Sequence, residues 1–194
     1  MTIARLRAVS FVLVAVLLMP LLAGCEGGSG KPAPGDSAAR SEELTPGEFP
    51  DKKPLDPVEP PPPMLRDPKT AVYSYLLWIS YAYRTLNSEI ATHAFSPWEE
   101  VRVSSYVELN RQEGRAIDQR LVDFKSEVVR TEGETATVSA REEWVYRYIS
   151  TADGSYASPV HTAAYDTTYT VVNTEGKGWL VDKVDATPVG EQPE

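Results

Sequence analysis

Residues 135–150 read TATVSAREEWVYRYIS, and apolar and polar side chains alternate along this stretch. Alternation with a period of two places successive side chains on opposite faces of a β-strand. One face carries Ala136, Val138, Ala140, Glu142, Trp144, Tyr146 and Tyr148, and the other carries Thr137, Ser139, Arg141, Glu143, Val145 and Arg147. The stretch therefore predicts a long strand whose first set of side chains faces a core.

Three more segments rich in β-branched and aromatic residues surround this strand, so the C-terminal half predicts four strands in all. The predicted strands are 119–131, 135–150, 158–173 and 178–185. The breaks between them are short and contain glycine, as hairpin connections do, at 132–134, 153–154 and 175–178. Consecutive hairpins predict an antiparallel meander.

Two helices are predicted before the strands. Asp67-Pro68 is a helix start, because the Asp side chain caps free amides and Pro is favoured in the first turn; the helical period then continues to about residue 92. Ser96 and Glu99 have the spacing of a capping box, which starts a second helix ending near Glu113. Helices followed by strands predict an α+β fold, with one curved sheet packed over two helices.

This order of elements resembles the nuclear transport factor 2-like superfamily between residues 67 and 188. The cues are Ala136-x-Val138-x-Ala140-x-Glu142, then Tyr169-Thr170-Val171 and Trp179-x-Val181. These residues look similar to those of the small conical domains of bacterial extracytoplasmic proteins and of the division-protein domain that faces the chloroplast intermembrane space. The resemblance implies a cone around a cavity. Because the superfamily includes isomerases, dehydratases, binding modules and dimerisation scaffolds, it leaves the function open.

Residues 26–66 are rich in Pro, Gly, Ser and charged residues and show no apolar periodicity, which predicts a disordered tether between a lipidated Cys25 and the domain. Pro60–Pro63 favours polyproline II, either as a spacer or as a ligand for a proline-binding domain. Gly28-Ser29-Gly30-Lys31 lacks the upstream glycine and the Ser or Thr of a phosphate-binding loop, so nucleotide binding is not expected. Residues 189–194 are predicted to be a flexible tail.

Residues 1–24 have the pattern of a signal peptide. Arg5 and Arg7 precede a mostly apolar run that is shorter than the roughly 20 residues of a spanning helix. The run ends in Leu22-Ala23-Gly24-Cys25, which resembles the lipobox of bacterial lipoproteins. That resemblance implies that the Cys25 thiol carries a diacylglyceryl group and that cleavage makes Cys25 the first mature residue; the alternative is an ordinary thiol at an ordinary cleavage site. The expected location is therefore extracytoplasmic, with the protein lipid-anchored to a bacterial cell membrane.

The net charge of −9 argues against nucleic-acid binding, which requires clustered Lys and Arg. With only two histidines, His93 and His161, and one cysteine, no metal site is expected, and no motif indicates a cofactor. The mixed faces of the third strand leave open whether His161 and Asp166 point inward.

Glu142 is an acid on an otherwise apolar and aromatic strand face. In one hypothesis it is a general base or ligand anchor in a cavity, with Trp144 and Tyr146 as neighbours. Helix-one residues Tyr73, Trp78 and Tyr81 complete the candidate pocket in that hypothesis. In the structural alternative, Glu142 pairs with an arginine or accepts hydrogen bonds from tyrosine hydroxyls; the candidate arginines are Arg84, Arg102 and Arg111.

The expected function is that of a lipid-anchored extracytoplasmic binding or scaffold domain that engages an envelope protein or a small apolar ligand. The alternative is an isomerase or hydrolase that uses Glu142 as its general base. The free face of the predicted sheet makes a homodimer a further expectation.

Overall fold

Two α-helices and then four β-strands follow one another in residues 48–50 and 53–190, the parts of the chain that the computed structural model describes. The helices are α1 (Pro68–Thr85) and α2 (Pro97–Gln112), with a short 3₁₀ helix, Glu89–Ala91, between them. The strands are β1 (Arg115–Glu132), β2 (Thr135–Ser150), β3 (His161–Thr174) and β4 (Gly178–Pro188). The predicted α+β class and the order of its elements are confirmed.

The strands form one antiparallel sheet in the order β1-β2-β3-β4, as expected of a meander. Glu142 on β2 lies opposite Phe124 on β1 and Tyr165 on β3. The register of β1 against β2 shifts between Leu121 and Asp123 and again between Val128 and Arg130. Such bulges bend and twist a strand, and here they curve the sheet around the helices.

Helix α1 begins as predicted but ends seven residues earlier, at Thr85 rather than Thr92. Asp67 accepts hydrogen bonds from the amides of Lys69 and Thr70. Leu86 then adopts a left-handed conformation with φ of 52°, and the amide of Asn87 donates to the carbonyl of Ala82. A left-handed residue ends a helix because it turns the chain out of the helical path.

One face of each helix packs against the concave face of the sheet to form the core. From α1 the core takes Val72, Tyr75, Leu76, Ile79 and Ala82, from α2 it takes Val103 and Val107, and from the sheet it takes Ala136, Val138, Trp144, Tyr169, Val171 and Val181. The alternation in β2 thus places the predicted face inward.

Residues 53–66, which we call the strap, pack against the domain and do not leave it as a disordered tether. The carbonyls of Leu55 and Pro61 accept hydrogen bonds from Arg84 Nη2 (2.9 Å) and Trp78 Nε1 (3.2 Å). The amide of Met64 donates to Ser74 Oγ at 2.9 Å. The prediction of a disordered tether is therefore wrong for these residues. Proline has no amide hydrogen, so the backbone of the strap can donate few hydrogen bonds. Side chains of α1 instead donate hydrogen bonds to its carbonyl groups.

The end of the strap passes close to the start of β4. The amide of Trp179 donates to the carbonyl of Leu65 at 2.9 Å. Gly178 has φ of +93°, and a Cβ on it would lie 2.4 Å from that same carbonyl oxygen. Only glycine fits at position 178, where the strap and β4 lie this close together.

The predicted leader and the lipobox cysteine, Cys25, lie outside the described residues, as does most of the predicted tail. No described helix is long and apolar enough to cross a membrane.

Candidate functional site

A cavity of about 260 Å³ lies between α1, α2 and the concave face of the sheet. Its apolar lining includes Leu76, Ile79, Ile117, Trp144, Ala163, Val184 and Ala186. Tyrosines supply most of the remaining wall: Tyr75, Tyr83, Tyr106, Tyr146, Tyr148, Tyr165 and Tyr169. Among the described residues, the charged side chains in the lining are those of Arg102 and Glu142.

Glu142 is buried, with 4% of its surface exposed, and both carboxylate oxygens accept hydrogen bonds. Trp144 Nε1 donates to Oε2 at 2.9 Å, and the hydroxyl of Tyr169 donates to Oε1. None of the candidate arginines pairs with Glu142: Arg84 donates to Leu55, Arg102 binds Glu99, and Arg111 binds Glu108 and Leu86. The structure therefore corresponds to the hydrogen-bonded structural alternative.

The phenol of Tyr169, one of the two donors to Glu142, is held in its protonated form. Burial raises the pKa of Tyr169 well above its ordinary value, and the negative charge of Glu142 raises it further. Thr167, two residues earlier on β3, is buried, and no described group lies within hydrogen-bonding geometry of its hydroxyl oxygen. The hydroxyl of Thr167 lowers the pKa of the Tyr169 phenol, so it lies beside that group and is closed off from solvent.

A second buried carboxylate lies beside the cavity. Glu99 is 3% exposed; Tyr75 donates to its Oε1 at 2.5 Å, and Arg102 forms an ion pair with it. Arg102 also donates to the Tyr75 hydroxyl at 2.5 Å. The predicted capping box is thus only half formed: Ser96 caps α2 by accepting from Trp98 at 3.2 Å, but Glu99 turns inward because the amide of Ser96 already donates to Val181.

The predicted pocket residues divide into two groups. Glu142, Trp144 and Tyr146 line the cavity together. Tyr73, Trp78 and Tyr81 do not line this cavity and require correction, because their side chains pack against other parts of the domain. Tyr73 packs beside Phe124, and Trp78 and Tyr81 contact each other under the strap, with ring centroids 6.1 Å apart.

The two histidines and Asp166 separate in the structure. His161 lies on the inward side of β3 and stacks on Tyr146, with ring centroids 5.1 Å apart. Asp166 points to the opposite side and pairs with Arg141 at 3.1 Å. His93 packs against Trp78 at 4.2 Å. Within the described parts of the chain, no group of three or more His, Cys, Asp or Glu residues is placed to hold a metal ion.

Sequence reasoning missed the Tyr75, Glu99 and Arg102 cluster and the contribution of Tyr165 and Tyr169. One signal was present for Glu99: it shares a helical face with two buried valines, Val103 and Val107, at intervals of four residues. An acidic residue on the same helical face as apolar residues is expected to be buried and to pair with a basic side chain. Arg102, three residues after Glu99, was the nearest candidate for that ion pair.

No protein-family model and no curated protein matches this chain. Among solved structures it is similar to the intermembrane space region of the chloroplast protein ARC6, with 18% identity and a TM-score of 0.48, over 63% of this chain and 98% of that one. It is also similar to a ketosteroid isomerase-like protein from Erwinia carotovora atroseptica, with 16% identity and a TM-score of 0.43, over 64% and 95% of the two chains. A nuclear transport factor 2-like protein from Salmonella enterica serovar Typhimurium has 10% identity and a TM-score of 0.44, over 64% and 93%. Likenesses this distant assign neither a family nor an activity.

Proposed function

We propose that this chain is a lipid-anchored extracytoplasmic binding domain that holds a small ligand in its cavity at the cell envelope. The observation that supports a binding role is the state of Glu142, the acid in the cavity wall. Both of its oxygens already accept hydrogen bonds from donors of the protein. A general base needs an accessible lone pair within reach of the substrate proton, whereas a binding wall needs only fixed side chains.

A small ligand is favoured over a protein partner because the polar groups converge inside the domain. The phenol-bearing side chains of Tyr146 and Tyr165 line the same cavity as Glu142. Ligand sites combine apolar walls with a few fixed polar groups, which is the composition of this cavity. A scaffold role and self-association through the outer face of the sheet remain predictions.

The enzymatic alternative keeps one supporting observation, which is that Glu142 lines the cavity. In that role a lone pair that Trp144 and Tyr169 leave free would have to reach a substrate proton. Binding is favoured because the Glu142 side chain is only 4% exposed and donors of the protein already fix both of its oxygens.

Ligand retention tests the cavity. The full chain is incubated with small molecules extracted from bacterial envelopes and then examined by native mass spectrometry; we expect a one-to-one complex. Ala163→Leu adds methylene groups inside the cavity and should abolish retention, whereas Thr162→Leu, on the opposite face of β3, should retain the ligand. A wild-type chain that retains no small molecule would contradict the binding role.

Cys25 tests the anchor. When the full chain is expressed in bacteria fed an alkynyl fatty acid, we expect it to be labelled and recovered with membranes, because a diacyl group anchors stably. Cys25→Ser should lose the label completely, and Ser29→Ala is the control that should keep it. Labelling that survives Cys25→Ser would disprove the anchor.

A further inference from the structure

The charges around the cavity do not balance. Arg102 is paired with Glu99, which leaves the carboxylate of Glu142 without an opposite charge. No described Lys, Arg or His lies within ion-pairing distance of Glu142. A buried carboxylate gains stability from a counter-charge, and two neutral donors only partly replace one.

The cavity walls have the chemistry that attracts cations. The faces of aromatic rings are electron-rich, and several phenol rings surround one space here, including Tyr146, Tyr148 and Tyr165. Tyr148 already contacts one cation, because the Arg115 guanidinium lies over its ring at 4.0 Å from the centroid. That guanidinium does not oppose a second cation strongly, because it is paired with Glu113.

The volume of about 260 Å³ restricts the occupant to a compact molecule. A bare metal ion does not fit, since the described residues provide no cluster of metal ligands.

From these contacts we infer that the ligand is a compact organic cation, an alkylated ammonium held between the phenol rings and Glu142. This inference rests on the proposed binding function and names its ligand class. The ammonium supplies the positive charge that Glu142 lacks, and the rings contact its methyl groups.

The test compares two probes of nearly equal shape on the full chain in a neutral maltoside detergent. Choline carries a trimethylammonium group, and 3,3-dimethylbutan-1-ol is its uncharged counterpart. Titration calorimetry should show choline binding at least tenfold tighter, because several rings and a carboxylate act on its charge. Equal or tighter binding of the alcohol would overturn the cation inference and leave cavity binding in place.

If neither choline nor the alcohol binds, the cation inference is also overturned. The proposed binding function is tested separately, by native mass spectrometry with small molecules extracted from bacterial envelopes. Glu142→Gln should weaken choline binding at least tenfold and leave the alcohol unaffected. Glu143→Gln is the matched control, because it removes the same charge from the exposed face of β2 and should change neither affinity. If Glu142→Gln fails to fold, the wild-type comparison of the two probes still decides the question.

Discussion

Raising the pH from 10 to 12 is expected to unfold this domain. Tyr75, Tyr83 and Tyr169 are buried in the wall of the cavity, and burial raises the pKa of each phenol above its ordinary value. In the unfolded chain these phenols lose their protons near pH 10. Between pH 10 and the raised values, the folded state therefore binds more protons than the unfolded state.

The difference in bound protons determines whether the free energy of unfolding rises or falls with pH. The free energy of unfolding rises with pH where the unfolded state binds more protons than the folded state, and it falls with pH where the unfolded state binds fewer. Above pH 10 the unfolded state binds fewer protons, so the free energy of unfolding falls as the pH rises. Below pH 10 the contribution is fully present. Each phenol removes about 1.4 kcal/mol per pH unit, so three remove about 4 kcal/mol per unit, against a typical total of 5–15 kcal/mol.

Urea unfolding at half-unit steps from pH 8 to pH 12 measures the slope, and phenolate absorbance near 295 nm should rise together with unfolding. Tyr83→Phe keeps the ring and should reduce the slope by about one proton, or 1.4 kcal/mol per unit. Tyr73→Phe, at an exposed position, should leave the slope unchanged. Phenolate absorbance that rises fully while the protein stays folded would refute the prediction.

The strands and their order could be predicted because alternation and glycine turns are local properties of the sequence. β2 matches its predicted bounds, and the ends of the other strands differ by a few residues. The end of α1 could not be predicted, because a leucine, Leu86, takes the left-handed position that glycine or asparagine usually fills.

The strap and the cavity depend on contacts between distant residues. The composition showed that the strap is rich in proline, but the strap is ordered by hydrogen bonds from Trp78 and Arg84. These residues lie 17 and 29 positions along the chain from the carbonyl groups to which they donate. Likewise, the strand pattern identified Glu142 as inward-facing, but not that Tyr169, 27 residues later, would occupy its carboxylate. Sequence periodicity shows which face is buried and not which partners meet there.

Arg102→Met is expected to lower the free energy of unfolding by about 3 kcal/mol, because it leaves the buried carboxylate of Glu99 without its opposite charge. Breaking a buried pair costs roughly 3–5 kcal/mol, and the lower end applies because 48% of the Arg102 side chain is exposed to solvent. Methionine retains most of the aliphatic stem, so the loss reports the charge and not the packing. Among the described residues, Tyr75 then remains as the donor to Glu99.

Urea unfolding at pH 7 measures this loss, and Arg130→Met is the matched control. Arg130 pairs with Glu132, but both side chains are more than 60% exposed, so its removal should cost less than about 0.5 kcal/mol. The double variant Glu99→Met with Arg102→Met should be more stable than Arg102→Met alone, because it removes the buried charge as well as its partner. If the double variant were the less stable of the two, the cost would come from lost packing of the Glu99 side chain and not from an unpaired charge.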